Sequence, residues 1–186
     1  GRVAMEKDID VLINAFRNIK EKYGDRISLV ITGDGPVRHK FQQEYGDEII
    51  FTGYRKGEEL AQMYASADFF AYPSTTETFG NVVVEAMASG LPVVAAASGG
   101  VLDSVKDRYN GILTEPKNPD SFAQGMIEFI EDDNFRRECS KNAREFALSK
   151  NWDIILDNMY KTFIRIIDEN PKPNYRRRQR LRLHKS

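Results

Sequence analysis

Short apolar runs alternate with segments of helical period along most of this chain, and that alternation limits the fold more than any single residue does. The runs lie at 27–32, 49–51, 68–72, 92–96 and 111–114. Continuous apolar runs of this length suit strands buried on both faces. Helices between successive strands impose parallel pairing through right-handed crossovers. The first helical segment, 8–23, places Ile9, Leu12, Ile13, Phe16 and Ile19 on one face, and Gly24 stops it. Gly33-Asp34-Gly35-Pro36 is a turn into a helix ending near Tyr45. Further helices are expected at 57–66, 80–90, around 102–105, 119–131, 133–149 and 152–168. The expected architecture is α/β, a Rossmann-like parallel sheet with helices on both faces, followed by C-terminal helices and a basic tail. Gly1-Arg2-Val3 reads as the end of a strand whose apolar part is missing, as in a fragment of a larger enzyme. Residues 1–170 then form one domain.

Composition narrows the function. A chain of 186 residues is long enough for a sizeable core. Its longest apolar runs fall far short of the ~20 residues that span a bilayer, and no signal peptide is visible at its start. Cys139 is the lone cysteine, so no intrachain disulfide can form, and a reducing cytoplasm is the expected setting. His39 and His184 are far apart and lack neighbouring metal ligands, which leaves zinc sites and hydrolytic triads without support. Residues 171–186 hold seven Lys/Arg and no Asp/Glu, leaving 20 basic against 28 acidic side chains in the first 170 residues. So acidic a body argues against nucleic-acid binding. The tail, running from Pro171 through Arg176-Arg177-Arg178, reads as a disordered solvated segment or as a weak contact with anionic lipid head groups.

The segment 74–94, Ser-Thr-Thr-Glu-Thr-Phe-Gly-Asn-Val-Val-Val-Glu-Ala-Met-Ala-Ser-Gly-Leu-Pro-Val-Val, carries the chemistry. A polar loop with Glu77 passes through Gly80 into a helix that carries Glu85 one and a half turns in. The first turn of such a helix leaves amides free to hold an anion. Carboxylates on either side of an anion site suit a ligand with hydroxyls at both ends and phosphate between them, which is the layout of a nucleotide-sugar. Arg2 and Lys7 stand at the end of the first expected strand, on the ligand side of an open sheet. Two cations there can hold a diphosphate.

This segment closely resembles the E-x(7)-E region of retaining GT-B glycosyltransferases of family 4, whose C-terminal domain binds the sugar-nucleotide donor. The resemblance runs from Gly1 to about Asp168. It implies that Glu77 contacts hydroxyls of the transferred sugar and Glu85 the ribose. The amides around Phe79, Gly80 and Asn81 would then face the sugar and phosphates. Arg2 and Lys7 follow the family's G-R-x(4)-K pattern, which sets two cations on the diphosphate. Gly33 would allow close approach of backbone to ligand, and the loop with Tyr54 and Arg55 would border the nucleobase. Ser98-Gly99-Gly100 resembles a family loop near the donor cleft. The implied partners are a UDP- or GDP-linked sugar and a sugar or glycolipid acceptor, with neither cofactor nor metal.

Other readings stay open at this stage. Gly33-Asp34-Gly35-Pro36 lacks the G-x-G-x-x-G of a dinucleotide site, which disfavours redox chemistry. Asp8-Ile9-Asp10 fits the D-x-D of metal-dependent transferases, but opens a helix where acids are favourable anyway. A sugar-nucleotide epimerase on the same architecture and a non-catalytic nucleotide-binding module are the alternatives to a hexosyltransferase.

Overall fold

A computed structural model describes residues 1–150 and 152–170; the basic tail lies outside the described residues. In chain order the elements are α1 (Ile9–Tyr23), β1 (Leu29–Thr32), α2 (Arg38–Tyr45), β2 (Ile49–Gly53), α3 (Gly57–Ala65) and β3 (Phe70–Tyr72). They continue with α4 (Asn81–Ala88), β4 (Val93–Ala96), β5 (Gly111–Thr114), α5 (Pro119–Glu131), α6 (Asp133–Ser149) and α7 (Trp152–Glu169). Short 3-10 turns at Met5–Lys7, Gly24–Arg26 and Gly99–Asp103 complete the frame.

All strand pairings between these strands are parallel, as helices between strands require. The strands divide into two sheets: β1 pairs with β2, and β3-β4-β5 form the other. One continuous sheet was the simpler expectation. It is interrupted because β1 and β3 do not pair, so each offers an open edge. The residues before Met5 run extended near β1, with the Gly1 amino group donating to the Thr32 carbonyl at 2.8 Å and Val3 N to Asp34 O at 2.9 Å.

Side chains alternate across β4 and so recruit helices to both faces. Val94 packs with Ile112 of β5 against Leu12, Ala15 and Ile19 of α1 and Phe122, Met126 and Phe129 of α5. Val93 and Ala95 point the other way, against Val83 and Met87 of α4 and Ala143 and Ala147 of α6. A third cluster joins α1 and α2 to the smaller sheet through Ile13, Phe16, Ile31, Phe41 and Ile49. Phe122 and Phe129 are fully buried, each contributing about 1.5–3 kcal/mol by its burial. Cys139 lies in this core, and burial pushes its thiol up to about 11, as befits a packing residue.

Local chemistry sets the helix ends that matter for the site. α5 starts where Asn118 accepts from the Asp120 and Ser121 amides, with Pro119 in the first turn. α4 ends two residues before the expected 90, because Gly90 takes φ 83° and Leu91 N returns to Ala86 O at 3.0 Å while Gly90 N meets Met87 O at 2.9 Å. That pair of bonds is a Schellman stop. The turn expected at 102–105 starts earlier, at Gly99, whose φ of 60° bends the chain there.

α7 belongs to a separate compact unit that begins at Lys150. It is amphipathic, with Ile155, Met159, Phe163 and Ile167 among its exposed apolar side chains. Among the described residues no helix is long and apolar enough to cross a membrane.

Candidate functional site

A cleft of ≈ 470 Å³ opens at the C-terminal ends of β1 and β3, where ligands of open parallel sheets bind. Thr32 and Tyr72 end those strands, and Arg2, Lys7, Glu77, Thr78, Gly80 and Asn81 are among the other residues of the wall.

Lys7 closes the Met5–Lys7 turn, and its ammonium lies 2.8 Å from Glu77 Oε2. Both side chains are about a quarter exposed, so the pair is neither dry nor freely solvated. The Tyr72 hydroxyl donates to the same carboxylate oxygen. Lys7 first, then Tyr72, hold the Glu77 carboxyl below its ordinary range. Burial, reinforced by Glu77's charge, keeps the Tyr72 phenol protonated well above the usual tyrosine range. An ionised carboxylate has about four lone-pair sites. Glu77 therefore keeps acceptor capacity for ligand hydroxyls.

α4 begins beside this pair. Gly80 caps it in the left-handed region (φ 78°), and as a glycine it lays no side chain of its own on the first-turn amides. Val83 N already returns to Gly80 O at 2.8 Å, which leaves the amides at Asn81 and Val82, both on the cleft wall, as the anion-facing end of the helix.

The loop that carries Glu77 is backed by the Gly99–Asp103 turn. Gly100 N donates to Glu77 O at 2.9 Å, and Ser98 Oγ to Thr75 O at 3.0 Å. Side chains are excluded there: a Cβ on Gly100 would lie 2.1 Å from Thr78 O, and one on Gly99 2.4 Å from Glu77 O. From the other side, Asp8 Oδ2 accepts from Thr75 N at 2.9 Å and Thr75 Oγ1 at 2.7 Å. Thr76 Oγ1 donates to Glu6 O at 2.9 Å. Asp8 is thus a tie to the Glu77 loop, while its D-x-D neighbour Asp10 is exposed on α1.

Of the residues singled out from sequence, Arg2, Lys7, Glu77, Phe79, Gly80 and Asn81 line the cleft together. Arg2 pairs with Glu6, exposed at the mouth. Glu85 is exposed on α4 and lies outside the lining set; its Oε2 accepts from the Tyr64 hydroxyl at 3.3 Å. Gly33, Tyr54 and Arg55 are also outside the lining set. The close approach that requires Gly33 is to the chain's own start, since a Cβ there would sit 1.7 Å from Gly1 O. Tyr54 is exposed past the end of β2, and Arg55 donates to its carbonyl at 3.4 Å. Sequence reasoning missed Tyr72, Tyr64 and Thr75, whose partners are distant or carry no local signal; it reads Asp8 only as a D-x-D or helix-start acid and Ser98 only as part of a loop near the donor cleft.

Cations, an open helix N-terminus and a held carboxylate stand together at the strand ends of a parallel α/β frame, an arrangement that can hold an anion beside hydroxyl groups. The chain belongs to the glycosyl transferases of group 1, whose family model matches residues 1–146. It is 38% identical over 170 residues to a glycosyltransferase of Methanocaldococcus jannaschii, covering 87% of this chain and 43% of that protein. It is 34% identical over 167 residues to a GDP-mannose-dependent alpha-mannosyltransferase of Corynebacterium glutamicum, covering 90% of this chain and 39% of the relative. The chain thus spans less than half the length of these curated relatives. Among solved structures, HepE of Anabaena in complex with UDP superposes with a TM-score of 0.77 at 28% identity, over 88% of this chain and 46% of that one. The C-terminal domain of the group 1 family protein LpcC of Francisella tularensis gives a TM-score of 0.72 at 27% identity, over 81% and 82% of the two chains.

Proposed function

We propose that this chain is the nucleotide-sugar-binding domain of a retaining, GT-B-type glycosyltransferase that moves a hexosyl group from a UDP- or GDP-linked donor to an acceptor hydroxyl. The observation that carries the proposal is the Lys7–Glu77 pair beside the open N-terminus of α4, at the C-terminal ends of two parallel strands. Relatives support the donor class: one is named for its dependence on GDP-mannose, and HepE has been crystallised with UDP and with UDP-glucose.

In this reading the diphosphate lies between Lys7, with Arg2 at the mouth, and the amides of Gly80, Asn81 and Val82. As the glycosidic C–O bond breaks, negative charge builds on the departing diphosphate, and fixed cations and a helix N-terminus stabilise it without reorganising. Glu77 receives hydroxyls of the sugar. Glu85 receives the ribose, with Tyr64 orienting its carboxylate. Tyr54 and Arg55 border the base, and Phe79, half-exposed on the cleft wall, covers the sugar. Retention follows if the acceptor oxygen attacks from the face the diphosphate leaves, giving up its proton to a diphosphate oxygen. The positive groups present make a metal unnecessary. The setting is cytoplasmic, with the basic tail supplying a weak contact to anionic lipid for a glycolipid acceptor.

Calorimetric titration with UDP, GDP and ADP tests the proposal. Saturable binding of UDP or GDP, tighter than ADP and competed by the matching hexose donor, is expected. Absence of binding by all three at millimolar ligand refutes it.

A further inference from the structure

Asp8 is the least expected residue of the site. It is a non-glycine residue in the left-handed region, φ 52° and ψ 35°, where a side chain is strained. The residue is buried, at 9% exposure, and carboxylates drawn out of water need partners. Both partners come from Thr75, whose amide and hydroxyl converge on one oxygen. The neighbouring links run in parallel: Glu6 O to Thr76, and Lys7 to Glu77. Residues 6–8 and 75–77 are therefore stitched at successive positions.

The left-handed backbone explains how this is possible. Asp8 N closes the Met5–Lys7 turn on Met5 O at 3.0 Å, while Asp8 O starts α1 by accepting from Val11 N at 3.1 Å. A right-handed residue would carry the turn straight on into α1. The left-handed bend instead lets Lys7 and Asp8, consecutive in sequence, reach the same loop.

We propose that Asp8 is a positioning residue for the donor site, holding Thr75 so that Glu77 meets Lys7 in the geometry that receives the sugar. The proposal rests on the assignment of Glu77 to the transferred sugar. Charge does not need Asp8 for this; the groups that set the ionisation of Glu77 are Lys7 and Tyr72. Position does.

Asp8→Gly, Asp8→Ala, Asp8→Asn and Glu77→Ala, each made in the whole chain, decide the matter through two readouts. One is the titration of the Glu77 carboxyl carbon by NMR; the other is the ratio of affinities for UDP-glucose and UDP, with GDP-mannose and GDP run in parallel. Asp8→Gly takes up the left-handed backbone without strain and loses only the Thr75 bonds, so readouts taken on the folded variant separate positioning from folding. Even so, Glu77 should titrate closer to an ordinary glutamate, and the sugar-dependent affinity ratio should fall by about fivefold or more. Asp8→Ala should do the same. Asp8→Asn should restore both readouts, because an amide oxygen can accept both Thr75 bonds. The proposal is overturned if Glu77 titrates in Asp8→Gly as in the parent, or if Asp8→Asn behaves like Asp8→Gly. A Glu77→Ala variant with an unchanged affinity ratio would instead sink the sugar assignment, while the titration still decides whether Asp8 positions Glu77.

Discussion

Lys7 Nζ and Glu77 Oε2 stand 2.8 Å apart although 70 residues separate them in the chain. One residue belongs to the turn before α1, the other to the loop after β3, and each faces the same cleft. The pair thus brings the phosphate-handling and sugar-handling parts of the proposed site into a single contact. Its partners differ in what they do for the ligand, so their removal should have different signatures.

Glu77→Ala should lower affinity for a hexose donor while leaving affinity for the free nucleoside diphosphate within about threefold, since its ligand partner is the sugar. Lys7→Ala should weaken both together, because both ligands carry the diphosphate. Titration of each variant with UDP and UDP-glucose reads the two patterns. Equal losses for UDP and UDP-glucose in Glu77→Ala would show that the carboxylate is misassigned.

Glu85→Ala should weaken nucleoside-diphosphate binding by roughly 1.5–3 kcal/mol, the range for hydrogen bonds to a charged group. Tyr64→Phe removes the hydroxyl that orients Glu85 and should cost less, about 0.5–1.5 kcal/mol. Calorimetry on folded variants measures both. An unchanged affinity in Glu85→Ala would remove the ribose from this residue.

Gly100→Ala should disturb the Glu77 loop from behind. The added methyl would lie 2.1 Å from Thr78 O and 2.7 Å from Phe79 Cα, both backbone atoms that cannot swing aside as a side chain could. Overpacking of this kind costs about 1–3 kcal/mol, and UDP binding should weaken with it. Thermal unfolding and UDP titration check the two effects, and a variant indistinguishable from the parent in both would mean the loop is not set by this contact.

Much of the frame is legible from local chemistry. β5 at 111–114 and α5 at 119–131 fall where an apolar run, an Asn118 cap and Pro119 place them. Gly90 signals the end of α4, although its left-handed conformation shortens the helix by two residues. The E-x(7)-E spacing singles out Glu77, and the G-R-x(4)-K pattern singles out Arg2 and Lys7. The groups that hold them are different. Tyr72 reaches Glu77 only because β3 ends directly beneath the loop, and Asp8 reaches Thr75 only because its backbone is left-handed. Nothing in the run Lys-Asp-Ile-Asp reports that conformation; helix-dipole reasoning reads the same acid as a simple favourable charge. The division into two sheets was equally invisible, because period and spacing place strands without specifying which edges meet.

The site also makes stability depend on pH with a definite sign. Glu77 titrates below an ordinary glutamate in the folded chain, through Lys7 and then Tyr72. Its contribution is therefore full above the ordinary value of about 4.3 and is lost as pH falls through the lowered one. Tyr72 and Tyr64 are raised, chiefly by burial, so theirs is full below about 10 and is lost at higher pH. These groups should therefore contribute falling limbs to the melting temperature, one at acid pH and one at alkaline pH. Lys7→Ala should flatten part of the acid limb. Parallel acid limbs in parent and variant would show that the pair adds nothing to stability.

Whether Lys7 and Arg2 address the diphosphate of a nucleotide-sugar is decided by calorimetry on the Arg2→Ala/Lys7→Ala double variant. UDP or GDP binding should be abolished in the double variant while binding of the bare nucleoside is nearly unchanged. Binding by the parent should weaken with added salt, since partly exposed charges are screened over ~8–10 Å near physiological ionic strength, and EDTA should leave it untouched. Diphosphate binding that survives in the double variant but disappears on chelation would move the phosphate from these cations to a metal held by carboxylates.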